Sequence, residues 1–83
     1  MRRKEAIIRY LALVGRGDRT QIANYVAASI TNVARHLTEL KHSRLVTNMK
    51  WSDGSKVWVL TQEGHRRHDY YELRDKRERE RGS

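Results

Sequence analysis

The apolar positions of this 83-residue chain change their period partway along, and the elements follow from that change. Ala6, Ile7, Tyr10, Leu11 and Val14 recur at helical spacing. They predict an amphipathic helix over 3–14, with Arg2, Glu5 and Arg9 on its wet side. Gly15-Arg16-Gly17-Asp18 stops that helix, because glycine takes the left-handed conformation needed just past a helix end. Asp18 can cap the next helix, with Gln21 completing a capping box; Thr20 is the rival cap. A second helix over 20–27 then buries Ile22, Ala23 and Val26 and half-buries Tyr25. After a break at Ala28-Ser29, with Ser29 as cap, a third helix runs over 30–41. Ile30, Val33, Leu37 and Leu40 form its core stripe. Thr31, Asn32, Arg35, His36 and Thr38 occupy the other side.

Beyond His42-Ser43-Arg44 the period drops to two. Leu45, Thr47, Met49 and Trp51 alternate with Val46, Asn48 and Lys50, the pattern of a strand. Ser52-Asp53-Gly54-Ser55 is a turn with the Asp-Gly signal of a hairpin, and Lys56 to Leu60 is the returning strand. Trp51 and Trp58, on alternating strands, read as core or hairpin packing. Thr61 caps a last helix that runs to about Arg81, with Glu63 in its favoured acidic first turn. From Arg66 onward its apolar residues are Tyr70, Tyr71 and Leu73. Its charges pair at i, i+4 as Glu72 with Lys76, Asp75 with Arg79 and Arg74 with Glu78. No heptad is sustained, so a long coiled coil is not expected. The expected fold class is mostly α with a small β-hairpin: three helices, two strands and a C-terminal helix. Residues 1–64 form the domain, and 65–83 form a charged helix that is either a dimerisation element or a frayed tail.

Several runs together carry a resemblance: Ile22-Ala23, Ser29 through Leu40 with its Val33-x-Arg35-His36-Leu37-x-x-Leu40 pattern, Leu45-Val46, and Leu60-Thr61-x-x-Gly64. The chain resembles the winged helix-turn-helix DNA-binding family, in particular transcriptional regulators of the ArsR and MarR type. The resemblance implies that the third helix reads duplex DNA and that the hairpin is the wing. It departs at one place. Such domains often carry Gly before the Leu-Val pair, where this chain has Arg44, and a non-glycine residue in the left-handed region is uncommon. Relatives commonly dimerise through terminal helices, which makes Tyr70 and Leu73, with the first helix, the candidate dimer contacts.

Charge supports a polyanionic partner. The formal net charge is +8, and its distribution matters more than its size. Residues 1–61 hold 11 Lys/Arg against 4 Asp/Glu, whereas 62–83 hold 7 against 6. The excess thus sits in the compact part. Within the third helix, Asn pairs with adenine, Arg with guanine, and a Thr methyl with the thymine methyl. Thr31, Asn32, Arg35 and His36 are the candidate base contacts, with Asn32 and Arg35 foremost. Ser29 suits a phosphate at the helix N-terminus. Lys50, Ser55 and Lys56 at the hairpin are backbone candidates, as are Arg2, Arg3, Arg16 and Arg19.

Other readings are weaker. No cysteine is present, so disulfides and thiolate metal sites are excluded, and an intracellular protein is the simple expectation. His36, His42, His65 and His68 lack the converging partners that zinc needs, so no metal or cofactor is expected. No nucleophile set or phosphate-binding glycine loop is recognisable, and so small a chain leaves little room for a substrate pocket. An enzyme and a built-in small-molecule sensor are therefore not expected. No apolar run approaches the roughly 20 residues of a membrane span, and Glu5, Arg9 and Tyr10 interrupt the segment that mimics a secretory signal. The expectation is a sequence-specific double-stranded DNA-binding regulator, a repressor and homodimer, cytoplasmic in a prokaryotic cell or its virus. The alternatives are a winged protein-interaction module and an architectural or replication protein with little base selectivity.

Overall fold

A computed structural model describes residues 2–82. Its elements are α1 (Arg3–Val14), α2 (Arg19–Val26), α3 (Ile30–His42), β1 (Val46–Lys50), β2 (Lys56–Leu60) and α4 (Gln62–Arg81). The element order is the expected one.

Short polar side chains start three of the helices. The Asp18 carboxylate accepts from the Gln21 amide at 2.8 Å, and the Gln21 side chain accepts from the Asp18 amide at 3.0 Å, so Asp18 and not Thr20 caps α2. Ser29 Oγ accepts from the Asn32 amide at 3.1 Å and starts α3. Thr61 Oγ1 accepts from the Gly64 amide at 3.1 Å and also donates to the Arg44 carbonyl, tying α4 to the entry of β1.

Two helix exits use the left-handed region without glycine. Ala27 has φ 56° after α2, and Arg44 has φ 62° at the position where the resemblance leads one to expect Gly. Each such residue strains its Cβ against the next carbonyl.

β1 and β2 pair antiparallel with Val46 opposite Leu60, Asn48 opposite Trp58 and Lys50 opposite Lys56. The hairpin gains a third partner that the period-two pattern does not announce. Gly17 exchanges both backbone bonds with Trp58, at 3.1 and 2.8 Å, so the helix stop between α1 and α2 also acts as a one-residue strand. The core lies where the three helices meet this small sheet. It consists of Ile7, Ile8, Leu11, Ile22, Ala23, Val33, Leu37, Leu40, Val46, Trp58 and Leu60.

Three expectations are corrected. Ile30 is 47% exposed and not part of the core. It is the first residue of α3, and the buried stripe starts one turn later at Val33. Tyr25 is exposed rather than half-buried, and its ring instead stacks on Tyr10 at 4.5 Å. Glu5 and Arg9 do not form a wet face, because α4 covers them. Arg9 binds Glu5 at 3.2 Å, Glu72 at 3.2 Å and Asp75 at 2.6 Å, and Arg74 reaches Glu5 at 3.0 Å. Both guanidinium groups lie near the Tyr71 ring. Glu72, Arg74 and Asp75 thus each have a partner across the α1–α4 seam, in addition to contacts within α4 between His68 and Glu72 and between Arg74 and Asp75.

Candidate nucleic-acid interface

The functional question turns on which side of α3 faces the hairpin. At 100° per residue, Val33, Leu37 and Leu40 point inward, and two polar flanks remain. Ala34, Thr38 and Lys41 lie on one flank. Together with His42 they form one wall of an open groove of about 630 Å³. Asn48, Lys56 and Trp58 of the hairpin form the other wall, and Arg19 and Arg44 close it. Arg19, Lys41, Arg44 and Lys56 contribute four cations, and among the described residues no carboxylate lines this groove. Lys41 is steadied across it by Asn48 Oδ1 at 3.4 Å. Such a concentration of like charge with no internal counter-ion favours an anionic occupant.

Thr31 and Arg35 lie on the solvent crest of α3, both exposed. Arg35 comes no nearer than 3.9 Å to Glu39 and keeps 66% of its side chain in water. The opposite flank carries Asn32, His36 and Glu39. Glu39 pairs with Lys4 at the start of α1, and Lys4 holds its carboxyl below the usual range. His36 is half-buried, and its Nδ1 is buried without a hydrogen-bond partner among the described residues. The structure therefore leaves Thr31 and Arg35 on the exposed crest, outside the groove lining, and sets Asn32 and His36 on the flank of Glu39, which meets α1.

The backbone candidates also separate. Arg19 and Lys56 line the groove. Lys50 stands opposite Lys56 on the exposed end of the hairpin. Ser29 is engaged as a cap, and the Ser55 hydroxyl donates to Asp53 at 2.7 Å. Arg2 and Arg3 are exposed, and Arg2 borders a separate cleft with Arg67, Tyr70 and Arg74. Arg16 lies 4.6 Å over the ring of Trp51, which is 42% exposed. Trp58 is 6% exposed, in keeping with a packing role, and its Nε1 finds no acceptor among the described residues. Tyr70 and Leu73 are 56% and 48% exposed, so their surface is accessible.

Ala34, Thr38, Lys41, Arg44 and Asn48 were not among the contact residues expected from the sequence, although Thr38 was placed on the polar side of the third helix and Arg44 was noted as a departure from the family pattern. The available signal was the spacing 34, 38 and 41, a stripe beside the core stripe. Which of the two flanks meets the hairpin is a tertiary fact.

The backbone as a whole has known counterparts. A MarR family transcriptional regulator from Silicibacter pomeroyi matches with a TM-score of 0.80 at 19% identity, over 93% of this chain and 54% of that one. MepR, a transcription regulator of Staphylococcus aureus, matches with a TM-score of 0.85 at 17% identity, over 95% of this chain and 61% of that one. The fold is a winged helix-turn-helix. In it α3 is the third helix of the domain and β1–β2 the wing. The chain spans little more than half the length of these two regulators. A smaller counterpart is the Zα domain of Carassius auratus PKZ, solved in complex with Z-DNA, with a TM-score of 0.65 at 29% identity over 71% of this chain and 92% of that domain. No family model matches the sequence, and no curated protein matches it by sequence. Among the described residues no group of three or more His, Asp or Glu is placed to hold a metal, and no helix is long and apolar enough to cross a membrane.

Proposed function

We propose that this chain is a non-enzymatic, sequence-specific double-stranded DNA-binding transcriptional regulator, acting as a repressor by occupying promoter DNA. The observation that carries the reading is the carboxylate-free groove between α3 and the wing, with Arg19, Lys41, Arg44 and Lys56 around it. Phosphate neutralisation by such cations supplies the sequence-independent part of the affinity. Arg35 and Thr31, on the crest beside the groove, supply base contacts in the major groove. Residues 1–64 carry the DNA-binding unit. Tyr70 and Leu73 of α4 pair two copies, which sets half-sites about one helical turn apart. The protein works on DNA in the cytoplasm of a prokaryotic cell or its virus.

The test is duplex binding by fluorescence anisotropy at several salt concentrations, with target sites first selected from a random pool. Lys56→Ala should weaken target and random duplex alike and lower the salt slope by about one. Arg35→Ala should cost roughly 1–3 kcal/mol on the target and relax base preference. Equal loss on target and random duplex for Arg35→Ala would remove α3 as the reader.

A second reading is duplex recognition by backbone shape with little base selectivity. It is favoured by the likeness to a Z-DNA-bound domain and by the dominance of cations over base-reading side chains in the groove. Tighter binding to a left-handed alternating dG-dC duplex than to any selected right-handed site would establish it instead.

A further inference from the structure

We propose that Ala34 and Thr38 form a thymine-methyl subsite on the groove side of α3, giving the protein a preference for A·T pairs at two positions about two base steps apart. This rests on the DNA-reading function proposed above.

The argument starts from what these two side chains can offer. Ala34 presents a methyl group and nothing else. Thr38 is exposed and lines the same groove wall. Its hydroxyl hydrogen is already used, donated to the Ala34 carbonyl at 3.0 Å. What remains to Thr38 is a methyl group and acceptor lone pairs. It has no hydrogen for the acceptors that dominate the major-groove edge, namely purine N7, guanine O6 and thymine O4. The apolar group on that edge is the C5 methyl of thymine, and its partner adenine presents an N6 donor. Both features of an A·T pair therefore suit Thr38, and the methyl alone suits Ala34.

Spacing sets the reach. Residues four apart lie on one helix face, about 6 Å apart along the axis. Successive bases of one strand rise 3.4 Å, so the two methyls span about two base steps. The surrounding cations do not compete for this role. Lys41 is held toward the wing by Asn48, Lys56 lies on the wing wall, and Arg19 and Arg44 close the groove. They flank the methyl pair as phosphate contacts would flank a base-reading strip.

The test uses the full chain and the duplex selected from a random pool. Each thymine of the selected site is replaced in turn by deoxyuridine, which removes a single methyl and changes nothing else on the base edge. Wild type should lose roughly fourfold in affinity at each of one or two positions about two base steps apart, the effect of one buried methyl at about 0.8 kcal/mol. Thr38→Ser keeps the hydroxyl and removes the methyl, so it should abolish the thymine–uracil difference at one of those positions. Thr38→Val keeps methyl groups at the same site and should preserve it. Ala34→Gly should abolish the difference at the other position, with a melting curve confirming that the variant is folded. The proposal is overturned by a selected site without thymine, by indifference to every uracil, or by discrimination that survives both Thr38→Ser and Ala34→Gly. Failure of the underlying function looks different: no salt-dependent binding to any duplex.

Discussion

Gly64 offers a perturbation whose sign separates packing from intrinsic preference. It is the third residue of α4, and alanine is favoured over glycine there by about 1 kcal/mol on helix propensity alone. The structure reverses that expectation. A Cβ on Gly64 would fall well inside van der Waals contact of the Leu45 carbonyl oxygen, and only 3.0 Å from Leu60 Cδ2 and 3.1 Å from the Leu45 carbonyl carbon. The clash is with backbone, not with the free end of a flexible side chain. Relieving it moves α4 away from the entry of β1. The Leu45 carbonyl also accepts from the Thr61 amide at 3.1 Å, so this bond is lost or lengthened by the same movement. Overpacking costs roughly 1–3 kcal/mol and the hydrogen bond about 1 kcal/mol. Set against the propensity gain, Gly64→Ala should destabilise the domain by about 1–3 kcal/mol. Urea unfolding followed by far-ultraviolet circular dichroism measures this directly. At a slope of roughly 1 kcal/mol per molar, the midpoint should fall by about 1–3 M with the slope unchanged. A midpoint equal to or above that of the wild type would refute the close approach of α4 to Leu45.

Two further perturbations follow from the same geometry. Arg44→Gly should raise stability by about 0.5–1 kcal/mol, because glycine relieves the left-handed strain but loses more freedom on folding. It should also weaken duplex binding, since Arg44 lines the groove, so thermal melting and anisotropy should move in opposite senses. The Asp75 carboxyl is held below its ordinary range by the hydrogen bond from Arg9, with Arg74 adding to it. A depressed carboxylate contributes stability that is present above its unfolded pKa and lost as pH falls through the folded value. The stability difference between wild type and Asp75→Asn should therefore be constant from neutral pH to about 5 and shrink below about 4. A difference that grows on acidification would contradict the Arg9–Asp75 pairing.

Most of the element order was legible in the sequence because it rests on local chemistry. Asp18 with Gln21, Ser29 and Thr61 announce their helices through caps that need only three or four residues of context. The hairpin was visible as a change of period followed by Asp53-Gly54. What sequence could not show was the neighbour of each polar face. Glu5 and Arg9 look solvated until α4, more than sixty residues away, lies over them. Ile30 continues the spacing of Val33 and Leu37 but lies beyond the core. The same limit applies within the candidate interface. Thr31 and Arg35 were identifiable as the polar crest of α3. The hairpin lies against Ala34, Thr38 and Lys41, and the flank of Asn32 and His36 is turned the other way. A helical wheel gives both flanks equal standing, and only the third dimension chooses between them.

The wing is held at two levels. The Gly17–Trp58 backbone exchange grips its middle, and the Arg16 guanidinium covers Trp51 where the turn begins. A loop that must be immobilised on contact subtracts its ordering entropy from the affinity, whereas one already fixed does not. This hairpin belongs to the second kind. These two tethers run to the α1–α2 turn, apart from the Lys41–Asn48 bond that reaches the wing from the groove flank of α3. On the proposed function, the Gly17 backbone thus pre-organises the wing without itself being a DNA contact, and changes there would tune binding through entropy rather than through lost contacts.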